Sequence, residues 1–315
     1  MLALILHIVF SSAFILLIKW AQIRKTEDEL TIGAINYIVA AITILPVFLL
    51  NQPEQISVGA IWTGGSMGLI YFLTYFLVVF AIRKIGAAST TVVSVMSILV
   101  PIVFAAVFYL KIPTGLQTVG IGLALVSLTL IGFRPDSEPL IEELTTIEKA
   151  KIDNRLDEAS AAATRDSGKS IFDSDLWILI VLVAFFLLCG LARIAQEAFT
   201  HVVEQQQLSA QRATFGLAAF VTAAIPSLLV LFFRRKKIQA SEFGFGCTMG
   251  VTNILQTLLI LAALQQYAGF IVFPVSSAGS VVLIAIVAAA ILGESLTRGT
   301  IVGISISVVA VFLLQ

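Results

Sequence analysis

Residues 243–293 run for 51 positions without a single Asp, Glu, Lys or Arg. A helix needs only about 20 apolar residues to cross the hydrocarbon core of a bilayer, so this tract has to fold back on itself. Gln265-Gln266-Tyr267-Ala268-Gly269 is its natural break. Eight further charge-free tracts cover 2–18, 30–50, 55–82, 85–110, 112–133, 176–192, 213–233 and 299–315. A soluble domain is roughly 25% charged, whereas this chain is 12% charged and 59% hydrophobic. In lipid, backbone polar groups must be satisfied within the segment, which leaves helices as the simplest solution. The expected fold class is therefore an all-α membrane protein with ten transmembrane helices. The first twenty residues, MLALILHIVFSSAFILLIKW, lack a basic leading segment and an Ala-x-Ala site. They read as a first transmembrane helix that is kept.

The only sizeable polar segment, 134–174, separates the fifth and sixth tracts. Eleven acidic residues lie between Arg134 and Asp175, against six basic ones. Good helix formers and charges spaced by four residues make it a partly helical, solvated tether. It divides the chain into 1–133, 134–174 and 175–315.

The two long parts repeat. Residues 64–68 read Gly-Gly-Ser-Met-Gly and residues 246–250 read Gly-Cys-Thr-Met-Gly, 182 positions later. At that offset Leu77 meets Leu259 and Ala81 meets Ala263. One extra residue shifts the offset to 183, after which Gly86, Ser94, Ser97, Thr114 and Gly120 meet Gly269, Ser277, Ser280, Thr297 and Gly303. Five helices per copy is an odd number, so the second copy enters the membrane upside down. The expectation is two inverted five-helix repeats with a site between them near mid-bilayer, exposed alternately to the two sides. Gly64 with Gly68, Gly246 with Gly250 and Gly299 with Gly303 form Gly-x-x-x-Gly, which lets helices approach closely. Such packing could lie inside the bundle or between two copies, so the chain is expected to be a monomer or a homodimer.

Leu292-Gly293-Glu294-Ser295-Leu296-Thr297, followed by Gly303, resembles the repeat ending of the drug/metabolite transporter superfamily, EamA type. The first copy has Leu110-Lys111 where Gly-Glu would be usual, and Arg212 in the seventh helix has only Asn36 as its nearest counterpart in the second. The resemblance implies a secondary transporter of a small metabolite or drug-like solute, in most members outward. Import of a sugar or other nutrient is the alternative within the family.

Orientation follows from charge. Ten basic residues fall around the loops after the first, third, seventh and ninth helices, including Arg24, Lys25, Arg83, Lys84 and Arg234–Lys237. Only Lys111 falls in the loops after the second, fourth, sixth and eighth. The positive-inside rule then places the 134–174 segment in the cytoplasm and both termini outside, in a cell (inner) membrane. The family resemblance implies the reverse.

Polar side chains at membrane depth turn toward the bundle interior or a water-filled cavity. Tyr71, Thr74 and Tyr75 share a face of the third helix. Asn253 and Gln256 occupy the matching face of the eighth, and Ser94, Ser97, Ser277 and Ser280 lie on the fourth and ninth. With Asn36 on the second, Tyr71, Thr74, Ser94, Ser97, Asn253, Gln256, Ser277 and Ser280 are the expected pathway-lining residues. His7, Arg193 and Glu197 are candidates for coupling or gating. Arg193 and Glu197, four residues apart on the sixth helix, could instead form an intrahelical ion pair near the interface, and His7 could be structural. Glu294 reads as a cap for the turn before the tenth helix.

Other classes fit less well. An enzyme would concentrate acids, bases or a nucleophile in the spans, and the chain has only two histidines. A channel, the rival class, builds selectivity from rings of charge or carbonyls by oligomeric symmetry. Cys189 and Cys247 sit in apolar runs as packing residues, so no metal and no cofactor are expected. Balanced charge, nineteen basic against nineteen acidic residues, gives no reason to expect nucleic acid. The partners are lipid and a small solute.

Overall fold

The computed structural model describes residues 1–23, 28–51, 53–110, 113–132, 175–204, 207–292 and 298–313. The segment 134–174, Lys111 and the Gly293–Thr297 motif lie outside them. Among the described residues all the regular elements are helices: α1 (Leu2–Ile23), α2 (Glu29–Leu50), α3 (Val58–Met96), α4 (Leu99–Phe108), α5 (Gly115–Gly132), α6 (Asp175–Val202), α7 (Leu208–Arg234), α8 (Ala240–Leu264), α9 (Gly269–Leu292) and α10 (Arg298–Leu313). Six of these contain stretches long and apolar enough to cross a membrane: 29–50, 58–81, 179–202, 208–234, 240–264 and 269–287. Shorter apolar stretches cover 2–18, 99–108, 115–127 and 301–313. Leu50, Trp62 and Phe233 are 85%, 74% and 75% exposed, which is costly in water and favourable against lipid.

The break between the third and fourth spans is not where charge suggests. The sequence places it at Arg83-Lys84, yet α3 runs on to Met96 and the interruption falls at Ser97-Ile98. Arg and Lys are good helix formers, so a pair that marks a membrane surface need not end a helix. Pro101 is the better stop signal. It lacks an N–H, and its ring crowds the carbonyl four residues earlier, that of Ser97. Helix α4 is correspondingly short, with ten residues.

The two sequence copies interlock by exchanged contacts. Gly64 and Gly68 of α3 lie directly against the backbone of Phe215 and Ala219 on α7. Gly246 and Gly250 of α8 lie against Ile35 and against Asn36 and Val39 on α2. Phe215 and Ala219 follow Ile35 and Val39 by 180 positions, the same spacing that separates Pro46 from Pro226. Each copy therefore sets its Gly-x-x-x-Gly ridge on the second helix of the other copy. These two ridges are used inside the bundle.

Helices α2 and α7 run antiparallel. Asp28, at the start of α2, is bonded by Arg234 at the end of α7, with Nη1 to Oδ2 at 2.6 Å. Beyond the other end of α2, the Gln211 side chain near the start of α7 donates to the Gln55 carbonyl and accepts from the Ser57 N–H. At the first of these ends Glu242, fully buried at the start of α8, accepts from the Asp28 N–H, the Gln239 N–H and Lys236 Nζ. Buried charge survives at such a place because every lone pair in use has a donor. The largest apolar cluster, built on Phe199, Phe215, Leu261, Leu264 and Phe273, joins both copies.

Candidate functional site

A cavity of about 340 Å³ opens between the copies. Helix α1 contributes His7, Ser11 and Ile15; α3 contributes Tyr71, Thr74 and Ser94; α6 contributes Cys189, Ala192, Arg193 and Gln196. Gln256 and Ile260 of α8 and Phe273, Ser276, Ser277, Ser280, Val281 and Ile284 of α9 complete the wall. Of the sequence candidates, Tyr71, Thr74, Ser94, Gln256, Ser277, Ser280, His7 and Arg193 come together here.

Asn36, Ser97, Asn253 and Glu197 do not line the cavity. Asn36 is fully buried and accepts from Asn253 Nδ2 at 3.3 Å, and Asn253 in turn accepts from Gln256 Nε2 at 3.1 Å. This amide chain crosses from α2 to α8 and presents only its last member to the cavity. Ser97 stands behind Arg193, taking a 2.7 Å bond from Nη1. Tyr75 leaves the face it shares with Tyr71 in sequence: its ring covers Gly33 and its hydroxyl donates to the Glu29 carbonyl.

Arg193 and Glu197 do not form the intrahelical pair that their spacing allows. The guanidinium turns to the Ser94 carbonyl and the Ser97 hydroxyl. The Glu197 carboxyl packs on Gly269, where an added Cβ would sit 2.7 Å from its carboxyl carbon. Gly269 opens α9, and a helix N-terminus favours an anion.

The polar lining is partly cross-tied and partly available. His7 Nδ1 lies 2.8 Å from the Gln256 carbonyl oxygen. A carbonyl only accepts, so Nδ1 carries the proton and Nε2 is left free of it in the neutral ring. Gln196 Nε2 donates to the Tyr71 hydroxyl at 2.9 Å, and that hydroxyl retains its own proton for another acceptor. Thr74 Oγ1 is buried with no hydrogen-bond partner among the described residues. Among the described residues no three His, Cys, Asp or Glu side chains converge as a metal site would need.

The lining obeys the repeat. Tyr71 and Thr74 precede Asn253 and Gln256 by 182 positions, and Ser94 and Ser97 precede Ser277 and Ser280 by 183. Carried into the first helices, the 182 offset pairs His7 with Cys189 and Ser11 with Arg193. Hydrogen bonding agrees: Ser11 Oγ meets Ser280 Oγ at 2.6 Å, and Arg193 Nη1 meets Ser97 Oγ at 2.7 Å. Sequence reasoning assigned no site role to Ser11, Cys189, Gln196 or Ser276. Extending the offset to α1 and α6 would have found Ser11 and Cys189; nothing in the repeat singles out Gln196 or Ser276.

Comparison with known proteins adds the following. A solved structure, described only as "Crystal structure of protein", superposes with a TM-score of 0.68 at 14% identity, over 100% of this chain and 95% of the other. At that identity the likeness is one of fold. No curated protein matches the sequence. Residues 1–133 match the EamA-like transporter family. That match is consistent with the drug/metabolite transporter superfamily, and together with the long apolar helices it supports an integral membrane protein.

Proposed function

We propose that the chain is a secondary transporter that moves a small metabolite or drug-like solute across a membrane by alternating access. In this reading all ten helices cross, as inverted five-helix repeats 1–133 and 175–315 joined by 134–174. One observation carries it: a polar cavity lies between two copies whose ridge contacts are exchanged, while the corresponding helices α2 and α7 run antiparallel. Two modules packed by equivalent contacts can trade roles, so a site between them can open to either side in turn.

Tyr71, Thr74, Ser94, Gln256, Ser277 and Ser280 contact the solute, while Asn36, Ser97 and Asn253 hold those contacts in place. His7 acts as a tie between α1 and α8, and Glu197 as a support for α9. Export is the proposed direction, as in most members of the family. The face that carries Arg234–Lys237 is the cytoplasmic one, with both termini outside.

Counterflow in proteoliposomes tests the mechanism. A stabilising solute, preloaded inside, should drive saturable uptake of its labelled form. Flux that rises linearly with concentration would make the protein a channel, and no flux with any stabilising solute would remove the transport reading. A reporter fused after Gln315 should be active only on the outer side.

A further inference from the structure

Among the described residues Arg193 is the one charge in the cavity wall, and none of those lining it is Asp or Glu. Its Nη1 donates to the Ser94 carbonyl and the Ser97 hydroxyl, and neither Nε nor Nη2 bonds to a described residue. Among the described residues no carboxylate lies within ion-pair distance of it. A guanidinium has five N–H donors in a planar fork, so most of that fork is uncommitted.

The fold does not require a charge at this position. In the other copy the equivalent tie is made by Ser11 to Ser280, hydroxyl to hydroxyl. Helix α6 therefore carries a cation where a serine serves the same packing in α1. A cation at membrane depth is expensive unless an anion meets it, and here the place for that anion is the cavity itself.

The remaining lining sets its size and shape. The same cavity is lined by the donors Tyr71 Oη, Thr74 Oγ1 and the Ser277 hydroxyl, the Ser276 hydroxyl being spent on the Phe273 carbonyl and that of Ser280 tied to Ser11, while Ile15, Ile260, Phe273, Val281 and Ile284 supply an apolar wall. About 340 Å³ is at the small end of the roughly 300–1,000 Å³ usual for ligand pockets. We propose that the cavity between the two copies binds a small amphipathic monocarboxylate, its carboxylate forked by Arg193 and its apolar body against α8 and α9. This rests on the transporter reading and names its cargo class. A single cation without a balancing acid sets the net charge of the cargo at minus one. An amine-bearing cation meets repulsion and no carboxylate, so it is rejected.

The test uses the purified full chain and three carbon skeletons, butyl, isopentyl and benzyl, each as carboxylate, primary amide and amine. Ligand-induced thermal stabilisation is read first, then the dissociation constant by calorimetry. At least one carboxylate should stabilise the protein while its amide and amine do not. In Arg193→Gln its affinity should fall by roughly thirtyfold, equivalent to about 2 kcal/mol at 1.4 kcal/mol per decade. Arg193→Lys, which keeps the charge without the fork, should fall between.

Stabilisation by no carboxylate, equal or tighter binding of an amine, or unchanged carboxylate affinity in a folded Arg193→Gln would overturn the proposal. If the variants do not fold, the ranking of carboxylate over amide and amine on the unaltered protein still decides. Failures of the two readings separate. Carboxylate binding without saturable flux keeps the anion site and removes the transporter; saturable flux of an amide or amine without carboxylate binding does the reverse.

Discussion

Gly68→Ala tests whether the two copies are locked by backbone contact. A Cβ built at Gly68 would stand 2.8 Å from the carbonyl carbon of Ala219 and closer still to its oxygen. Ordinary contact begins at 3.4 Å, so α3 and α7 must part by at least the 0.6 Å difference. The obstacle is main chain inside a helix, which cannot rotate away as a side chain would. Overpacking of this kind costs about 1–3 kcal/mol, and parting the helices also loosens Gly64 against Phe215. Gly65, three residues earlier, is the control. A Cβ there would meet only Thr222 Oγ1, at 3.5 Å, so Gly65→Ala should gain the roughly 0.5–1 kcal/mol that alanine offers over glycine in a helix. The two variants should therefore shift in opposite directions from wild type and differ by about 1.5–4 kcal/mol, from the same substitution within one helical turn. Thermal unfolding in detergent, followed by tryptophan fluorescence, should separate their midpoints by on the order of 5 °C. Midpoints that agree within experimental error would show that α3 and α7 are not in this contact.

Further outcomes follow from the junction at the start of α2 and from the amide chain. Burial alone would raise the Asp28 carboxyl, but the Arg234 guanidinium, the Thr31 hydroxyl and the Leu30 N–H together hold it below its ordinary value. A depressed folded value stabilises above the unfolded carboxylate range near 3.9, and the contribution is lost as pH falls through the folded value. The midpoint gap between wild type and Asp28→Asn should thus be full at pH 7 and narrow below about pH 4; a gap that stays constant with pH would refute the pairing. Glu242→Ala orphans three donors around a fully buried carboxylate and should cost about 1–3 kcal/mol. Lys236→Ala, whose side chain is 41% exposed, should cost no more than about 1 kcal/mol, so equal losses would contradict the burial seen here. Asn253→Leu strips Asn36 of its donor inside the bundle, and Gln256→Leu does the same to Asn253, so each should cost about 1–3 kcal/mol, but Gln256→Leu also removes a cavity contact and should weaken solute binding more.

The helical class and the glycine contacts were legible because both rest on local chemistry. Apolar tracts of spanning length can only be helices in lipid, and glycines at a fixed spacing mark where backbones meet. Half-legible features depended on which partner a residue finds. Tyr71 and Tyr75 look alike on one helix face, but Gly33 on α2 makes room for the Tyr75 ring and leaves Tyr71 to the cavity. Asn36 and Asn253 were read as lining because a buried amide must be paired; they pair with each other instead. Arg193 and Glu197 are spaced for an ion pair, yet Ser97 and Gly269, distant in sequence, draw them apart. Charge misplaced the end of α3, since what ends a helix is a lost N–H at Pro101 and not a positive residue at the membrane surface.

If the proposed exchange of halves operates, it places two opposed demands on the chain, and the residues divide between them by position. Contacts that the copies must both make, such as Gly64 and Gly68 on α7 and Gly246 and Gly250 on α2, have little room to diverge, because any side chain there separates the helices. Positions that face the cavity have no such restriction, and there the copies differ: His7 against Cys189, Ser11 against Arg193, Tyr71 against Asn253, Thr74 against Gln256. Paired serines remain the same in both: Ser97 and Ser280, which receive the ties, and Ser94 and Ser277, one turn before them. A symmetric cavity would offer cargo two equivalent poses. Placing the single cation on α6 fixes one pose, while the tie beneath it stays equivalent to its twin and leaves the exchange of the halves unhindered.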